Sequence, residues 1–273
     1  MNRNVLLILL LFPLVLSAKE RRTFEYERFR VGIETGVGFL EGSTVALDNV
    51  RENQSFYYNE FYLGDDFYSG YVDNHYTIPH YYVGIKPEFS ITNSLSIAAG
   101  IRCLGSNSTL NSDRNYFLWK VAEDDLTTHY ARVKEVKQNS IYLGIPVEML
   151  IYTYKRERPV RHYFRWGVNF NFLFWSATTP YFETEAMNKY ANKVKNDLNK
   201  LNNSVMPSFT SAAFIGTGLK IGRMNRPFGT IEIRVPIGIN SSFSSFVNSS
   251  VGFEFQAAVY IPLEGKKLIC VYN

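Results

Sequence analysis

Acidic and basic residues recur at alternate positions of several apolar segments, in a pattern that could form ion pairs. In the segment 229–240, for example, Glu232 and Arg234 flank Ile233. Successive side chains of a β-strand point to opposite faces, so charges spaced in this way share one face of their strand. Six bases and five acids fall on that face, and their charges nearly cancel: Arg30, Lys86, Arg102, Arg165, Lys220 and Arg234 with Glu34, Glu88, Glu148, Glu232 and Glu254.

The chemistry that these residues predict is mutual charge pairing. Charged groups enclosed together must pair and hydrogen-bond, because an isolated buried charge is costly. We expect Glu232 and Arg234 each to find a partner on another strand, where Glu254 and Lys220 are available. The alternative is a narrow or gated conduit lined by the same charges.

The elements that must position these residues are eight strands that alternate between a polar and an apolar face. Most of the eighteen glycines share the charged face. The concave side of a small barrel is the crowded side, so the charged face is predicted to point inward and the apolar face toward lipid. The alternative is a secreted soluble barrel of lipocalin type with its apolar face inward. The predicted strands are 29–40, 78–91, 94–105, 139–154, 162–176, 208–223, 229–240 and 249–263.

The connections between these strands alternate in length. Short connections fall at 92–93, 155–161 and 224–228, and mostly long ones fall at 41–77, 106–138, 177–207 and 241–248. Outer-membrane barrels have short periplasmic turns and longer external loops. The fold class is therefore predicted to be all-β: an eight-stranded antiparallel up-and-down transmembrane β-barrel with long external loops and both termini in the periplasm.

A short helix is predicted near 183–202, in the third long loop. Met187, Val194 and Leu198 belong to its apolar stripe, and lysines are distributed over the rest of its surface. The helix would either form a lid on the barrel mouth or dock onto a partner or the lipopolysaccharide surface.

The first residues have the pattern of an export signal. A basic start precedes the apolar run 5–16, and Ser17 and Ala18 supply small residues before a charged stretch. We therefore predict a signal peptide over 1–18 and an outer-membrane β-barrel domain over 19–273. The expected location is the outer membrane of a Gram-negative bacterium.

The first long loop is rich in aromatic and acidic residues, which can form a recognition surface for sugars or protein. Alternatively, these rings extend the barrel above the membrane and pack on one another. The residues predicted for recognition are Tyr57, Tyr58, Tyr62, Asp65, Asp66, Tyr68 and Tyr71.

No motif with catalytic or cofactor-binding spacing stands out. His75, His80 and His129 are predicted near the external rim, but no nucleophile motif accompanies them, so a rim-located hydrolase is the least favoured function. We predict no catalytic residue, no metal site and no cofactor. The mild net charge of +4, without a basic patch, argues against a nucleic-acid partner.

One strand carries a family resemblance. The run Tyr142-Leu143-Gly144-Ile145-Pro146-Val147, followed by the basic turn Lys155-Arg156-Glu157-Arg158, resembles the PorT-like outer-membrane β-barrel family of the Bacteroidota. The segment Arg165-Trp166-Gly167-Val168 and the glycine-rich first strand around Gly36-Val37-Gly38 are also similar. The resemblance implies a small barrel, and one branch of the family assists type IX protein secretion.

Two functions follow as hypotheses. The first is a non-enzymatic barrel with a closed, charge-paired lumen that acts through its external loops in binding or in envelope or secretion assembly. Its expected partners are outer-membrane lipid and lipopolysaccharide, and proteins of an envelope or secretion complex. The second is a porin-like barrel that transports small solutes.

Overall fold

The computed structural model describes most of the chain and shows an almost entirely antiparallel β protein. Neither helix in the described part of the chain has the length and apolar character of a membrane span. The described residues are 23–44, 50–52, 76–111, 116–123, 128–153, 158–205, 208–239, 247–263 and 267–271.

Thirteen strands, one 3-10 helix and one α-helix make up this part of the chain. The 3-10 helix Glu185–Tyr190 runs directly into α1, Ala191–Val205. The strands are β1 Thr23–Glu27, β2 Phe29–Thr44, β3 Val50–Glu52, β4 Tyr76–Ser90, β5 Leu95–Ala99, β6 Ile101–Asn111, β7 Phe117–Glu123, β8 Thr128–Tyr152, β9 Val160–Phe182, β10 Phe209–Ile221, β11 Phe228–Ile239, β12 Val247–Pro262 and β13 Lys267–Val271.

Eight wall strands form a closed ring. The order around the ring is β2, β4, β5 with β6, β8, β9, β10, β11 and β12, and every neighbouring pair is antiparallel. β12 pairs in turn with β2, from Val247 opposite Thr44 to Pro262 opposite Arg30. β5 and β6 are two parts of one wall strand, separated only at Gly100, whose N–H still donates to the Pro146 carbonyl at 3.1 Å. The predicted eight-stranded up-and-down arrangement is confirmed.

The alternation of side chains sorts the wall into an exposed apolar surface and a buried polar one. Ile231 and Ile233 are 52% and 48% exposed, whereas Glu232 between them is 4% exposed. Large exposed apolar side chains recur around the whole ring, which suits a wall that faces lipid.

Two wall strands continue well beyond the others at one end of the ring. β8 has 25 residues and β9 has 23, and their pairing extends to Val133 opposite Phe182. β7 adds to the extended part of β8, and β3 adds to β7. The prediction of a long loop over 106–138 was therefore wrong. Most of that segment is strand, because the alternation of Phe117, Trp119 and Val121 continues the sheet.

The predicted helix is present and covers this extended end. Val194 and Leu198 of α1 are fully buried with Trp119 of β7 in an apolar cluster, against which Met187 and Tyr190 pack. The Trp119 Nε1–H donates to Asp197 Oδ2 at 3.2 Å, and Lys193 Nζ lies 2.9 Å from Asp197 Oδ1. We call this the cap cluster. Its buried members are Leu40, Ile78, Tyr82, Leu104, Leu110, Phe117, Trp119, Val121, Ala131, Val133, Val136, Tyr142, Val194 and Leu198.

The opposite end carries the short turns. The turns at 91–94 and 222–227 contain few residues, and Gly222 adopts a φ of +119°, a left-handed conformation that favours glycine. Gly222 N–H donates to the Pro159 carbonyl at 2.7 Å, which ties two of the turns together. At the same end β1 pairs with β13, so the C-terminal segment continues as a strand after β12.

Candidate functional site in the barrel lumen

The lumen is filled by side chains from all eight wall strands. Because inward positions alternate along each strand, residues far apart in sequence meet there in layers.

The turn end is closed by aromatic rings and two guanidinium groups. Phe228 and Tyr260 stack with ring centroids 5.2 Å apart, and Tyr152 meets Tyr163 edge-on at 5.6 Å. Arg30 Nη1 lies 2.7 Å from Glu88 Oε1, and both side chains are fully buried. Arg161 Nη2 donates to the Asn93 carbonyl at 3.0 Å, with its guanidinium 4.5 Å from the Tyr152 ring. Lys220 Nζ lies 5.5 Å from the Phe228 ring.

The middle layer is an ion network centred on Glu148. One carboxylate oxygen, Oε2, lies 2.7 Å from Lys86 Nζ and 3.0 Å from Arg165 Nη1. The other oxygen, Oε1, lies 2.7 Å from Arg102 Nη2 and 3.1 Å from Arg234 Nη2. Four cations from four wall strands therefore converge on a single acid.

Two further acids complete this ion network. Glu34 contacts Lys86 Nζ at 2.5 Å and also pairs with Arg102. Glu232 pairs with Arg234 and, at 3.1 Å, with Arg165 Nε. The ion network thus joins Lys86, Arg102, Arg165 and Arg234 to Glu34, Glu148 and Glu232, with one positive charge in excess.

Neutral polar groups and rings extend the ion network. Tyr163 Oη donates to Glu232 Oε2 at 2.7 Å, and Arg102 Nη1 donates to Asn169 Oδ1 at 2.9 Å. The guanidinium of Arg102 also lies 4.5 Å from the Tyr82 ring, a cation–π distance. These contacts satisfy donors that the carboxylates alone would leave unpaired.

The layer nearest the cap cluster contains the last predicted acid. Glu254 Oε1 lies 3.1 Å from His80 Nε2, and His80 is buried rather than at the rim. Gln256, on the same strand, accepts hydrogen bonds from Tyr82 Oη at 3.0 Å and Arg102 Nη2 at 3.3 Å. Glu254 therefore lies outside the seven-residue ion network.

The structure places the eleven predicted lumen charges in three groups. Seven form the ion network, Arg30 and Glu88 pair with each other at the turn end, and Lys220 and Glu254 lie at opposite ends of the lumen. The partners expected for Glu232 and Arg234 were different: Glu232 meets Arg165 of β9, and Arg234 meets Glu148 of β8. Both contacts cross between strands that are not neighbours in sequence order.

Several lumen residues escaped the sequence prediction. Arg161 was assigned to a turn, although its alternation with Tyr163 and Arg165 extends β9 back to Val160. Tyr163 and Gln256 have the inward parity but carry no charge, so a pattern of alternating charges does not mark them.

The predicted loop-recognition residues lie outside the described residues. These are Tyr57, Tyr58, Tyr62, Asp65, Asp66, Tyr68 and Tyr71. Within the part of the chain that the structure describes, no group of three or more His, Cys, Asp and Glu residues could hold a metal ion.

A comparison with known protein families agrees with this architecture. A family model described as the outer membrane protein beta-barrel domain matches residues 17–244. No curated protein matches the sequence.

Several solved barrels are similar. The N-terminal β-barrel domain of Pseudomonas aeruginosa OprF is 8% identical, with 86% of this chain and 99% of that chain covered and a TM-score of 0.35. Neisserial surface protein A is 11% identical, with coverage of 89% and 99% and a TM-score of 0.36. The Ralstonia pickettii toluene transporter TbuX is 7% identical, with coverage of 90% and 90% and a TM-score of 0.24.

Proposed function

We propose that this chain, which belongs to the family of the outer membrane protein β-barrel domain, is a non-enzymatic barrel of the Gram-negative outer membrane that binds or assembles partners through its external part. In a barrel of this family the lipid-facing apolar surface of the wall serves to hold the protein in the membrane. Function then belongs either to the lumen or to the parts outside the membrane.

Side chains fill the lumen at successive levels, and this filling supports the proposal. The turn end is filled by rings and guanidinium groups, the middle by the ion network and the external end by the cap cluster. All members of the ion network have side chains that are at most 3% exposed. Moving a solute along the axis would require separating buried ion pairs, which costs several kcal/mol for each charge left without a partner. A transport role along this axis is therefore disfavoured.

The part of the protein beyond the membrane is then the remaining surface on which partners can bind. β8 and β9 continue beyond the rest of the wall, β7 and β3 widen that sheet, and α1 packs on it. A sheet that is paired and packed in this way is a suitable base for loops, because binding residues are often found on loops that a scaffold positions. We propose that the first long loop, 41–77, supplies the recognition surface on this sheet through Tyr57, Tyr58 and Tyr62. Because the chain resembles PorT-like barrels, we propose that its partners are proteins of an envelope or secretion complex.

Crosslinked membranes provide the test of this function. Affinity purification of the tagged chain should recover a defined set of envelope proteins. Replacing Tyr57, Tyr58 and Tyr62 by serine should deplete that set at least about fivefold, because stacking rings contribute most to such surfaces. Replacing Lys195 of α1 by alanine is the matched external control and should leave the set unchanged. Recovery that is insensitive to the tyrosine changes, together with measurable solute uptake, would reject this function in favour of transport.

A further inference from the structure

The outward face of the wall changes from apolar to polar at one level on three neighbouring strands. The register of β6, β8 and β9 defines four cross-strand rows there, and from the middle of the wall toward the cap end they are Gly105, Ile141 and Trp175; Asn107, Asn139 and Ala177; Thr109, Lys137 and Thr179; and Asn111, Glu135 and Tyr181. The first row has no polar group except the indole of Trp175, which is 47% exposed beside Phe174 at 82%. The later rows carry amides, hydroxyls and charges. The lipid-facing band therefore ends at the first row, where exposed aromatic rings suit a membrane interface.

The polar rows lie at the depth of the lipid head groups. Alternate residues of a strand are about 7 Å apart, and strands of outer-membrane barrels tilt by roughly 35–45°. The second and third rows therefore lie about 5 and 10 Å beyond the first along the bilayer normal. The head-group region of one leaflet is roughly 5–8 Å thick. Lys137 of the third row can reach this region, because its four-carbon stem lets the ammonium extend toward the interface.

The cations on this part of β8 outnumber the acids that face them. Lys137 Nζ lies 3.3 Å from Glu135 Oε2, and Arg132 Nη1 lies 3.0 Å from Glu183 Oε2. Lys134 is the extra residue where the register between β8 and β9 shifts, and its side chain is exposed. Three cations therefore face two acids. Both ion pairs are reached by solvent, and pairs of this kind contribute little, so a phosphate can take the place of the carboxylate beside Lys137.

The charge at this level has the opposite sign on the other side of β6. Val37 pairs with Tyr81, and Tyr81 pairs with Gly105, so β2 continues the first row. Four residues further along β2, at the level of Lys137, the exposed outward residue is Glu41. An anionic head group is therefore attracted to the outward face of β8 and repelled from that of β2.

The neighbours of Lys137 suit a sugar that carries a phosphate. Thr109 and Thr179 lie directly opposite Lys137 on the two adjoining strands. Lys137 Nζ also lies 5.1 Å from the ring of Tyr181, which is 46% exposed. An ammonium binds phosphate as a point charge, threonine hydroxyls can donate to and accept from sugar hydroxyls, and an exposed ring can pack on the apolar face of a sugar.

We propose that this outward surface binds the phosphorylated sugar head group of a glycolipid in the outer leaflet. We call it the phosphate patch, and its members are Thr109, Lys134, Lys137, Thr179 and Tyr181. The acyl chains of the glycolipid pass over Ile141 and Trp175 into the lipid-facing band. The proposal rests on the location of the barrel in the outer membrane and not on the recognition role proposed for the first long loop.

Nitroxide spin labels test the depth of the phosphate patch. In a background with Cys103 and Cys270 replaced by serine, labels at Trp175→Cys and at Thr179→Cys are compared in the same lipid vesicles. We expect oxygen, which partitions into hydrocarbon, to relax the first label more strongly. A water-soluble nickel chelate should relax the second label more strongly. Equal responses of the two labels, or the reverse order, would remove the phosphate patch from the head-group region and overturn the proposal.

Native mass spectrometry of the protein in detergent micelles tests the ligand, with diphosphoryl lipid A as the probe. The unmodified protein should bind the probe saturably, and Lys134→Ala with Lys137→Ala should lower the affinity at least about tenfold. Lys134→Arg with Lys137→Arg should retain the affinity. Lys189→Ala is the matched control, since Lys189 Nζ also lies beside a tyrosine ring, 4.9 Å from that of Tyr190, but belongs to the 3-10 helix. This control should leave the affinity unchanged.

Two further lipids separate the parts of the head group. Lipid A without phosphates keeps the sugars and chains, and phosphatidylglycerol has a phosphate but no sugar. Each should bind at least about tenfold more weakly than diphosphoryl lipid A. Equal binding of the dephosphorylated lipid would show a contact with the acyl chains alone, and equal binding of phosphatidylglycerol would show attraction of any anionic lipid. Either result, or unchanged affinity in the double alanine variant, would overturn the phosphate patch as a glycolipid site.

Discussion

Glu148 shows how a single residue joins the side chains that fill the lumen. Its carboxylate is the meeting point of Lys86, Arg102, Arg165 and Arg234, and no one strand supplies more than one of these partners. A buried cation stays charged at acceptable cost only when a carboxylate offsets its desolvation. The acids of the ion network therefore stabilise several wall strands at once and not a single contact.

Replacing Glu232 by leucine should destabilise the barrel strongly. The change leaves Arg165 and Arg234 with one fewer acid and removes the acceptor for Tyr163 Oη, so we expect a loss of about 3–5 kcal/mol in the free energy of unfolding. Urea unfolding of the refolded protein in detergent measures this. Ile233→Leu on the outward face is the control and should cost less than about 1.5 kcal/mol. A larger loss for Ile233→Leu would mean that the two faces are assigned the wrong way round.

Two glycines give a second comparison at the same scale. A Cβ on Gly36 would overlap the Tyr82 ring, whereas a Cβ on Gly229 would meet only the Ala258 carbonyl oxygen at 3.9 Å. Gly36→Ala should therefore cost about 1–3 kcal/mol, because Tyr82 must move and loses its bond to Gln256. Gly229→Ala should be neutral or slightly stabilising. The same urea titration distinguishes these outcomes, and equal effects would contradict the close packing of Tyr82 on β2.

At the scale of the elements, alternation predicted the wall strands but not their irregularities. Trp175 has inward parity in the sequence, yet the register shift opposite Ile141 and Tyr142 leaves Phe174 as an extra residue. Both Phe174 and Trp175 are consequently exposed, at 82% and 47%. A β-bulge of this kind reverses the faces of every residue beyond it, and the local sequence does not mark its position.

The contacts between side chains across the lumen could not be predicted from the sequence either. Which inward residues meet depends on the stagger of all eight strands, and each pairing in the ring contributes to it. The sequence therefore predicts that Glu148 and Arg234 are both inward-facing charges, but it does not predict that they contact each other. Loop lengths were also misleading, because β7 and the first half of β8 lie in a segment assigned to a loop.

The attachment of α1 to the sheet should depend on one hydrogen bond. Trp119→Phe keeps the ring packing but removes the donor to Asp197, so the helix should open more often. Hydrogen–deuterium exchange of residues 191–198 should become at least about tenfold faster, while exchange of β2 and β12 stays unchanged. Lys195→Ala is the control and should leave the helix protected. Unchanged exchange in Trp119→Phe would show that the apolar contacts of Val194 and Leu198 alone hold the helix.

At the scale of the whole molecule, the turn end and the cap end should face opposite compartments. Short turns of outer-membrane barrels lie in the periplasm, so we expect α1 to lie outside the cell. In a background with Cys103 and Cys270 replaced by serine, a membrane-impermeant maleimide should label Lys195→Cys on intact cells. Asn93→Cys, in the turn after β4, should react only after the outer membrane is permeabilised. Labelling of the turn on intact cells would invert the topology.

Single-channel recording in planar bilayers measures whether the barrel is closed along its axis. The purified protein should show no stable large conductance. A variant in which residues 185–205 are replaced by a short glycine-serine linker should remain equally silent, because the ion network around Glu148 lies beneath the cap cluster and closes the lumen without it. A persistent, large open channel in the unmodified protein would show that the lumen is open and would make this chain a porin.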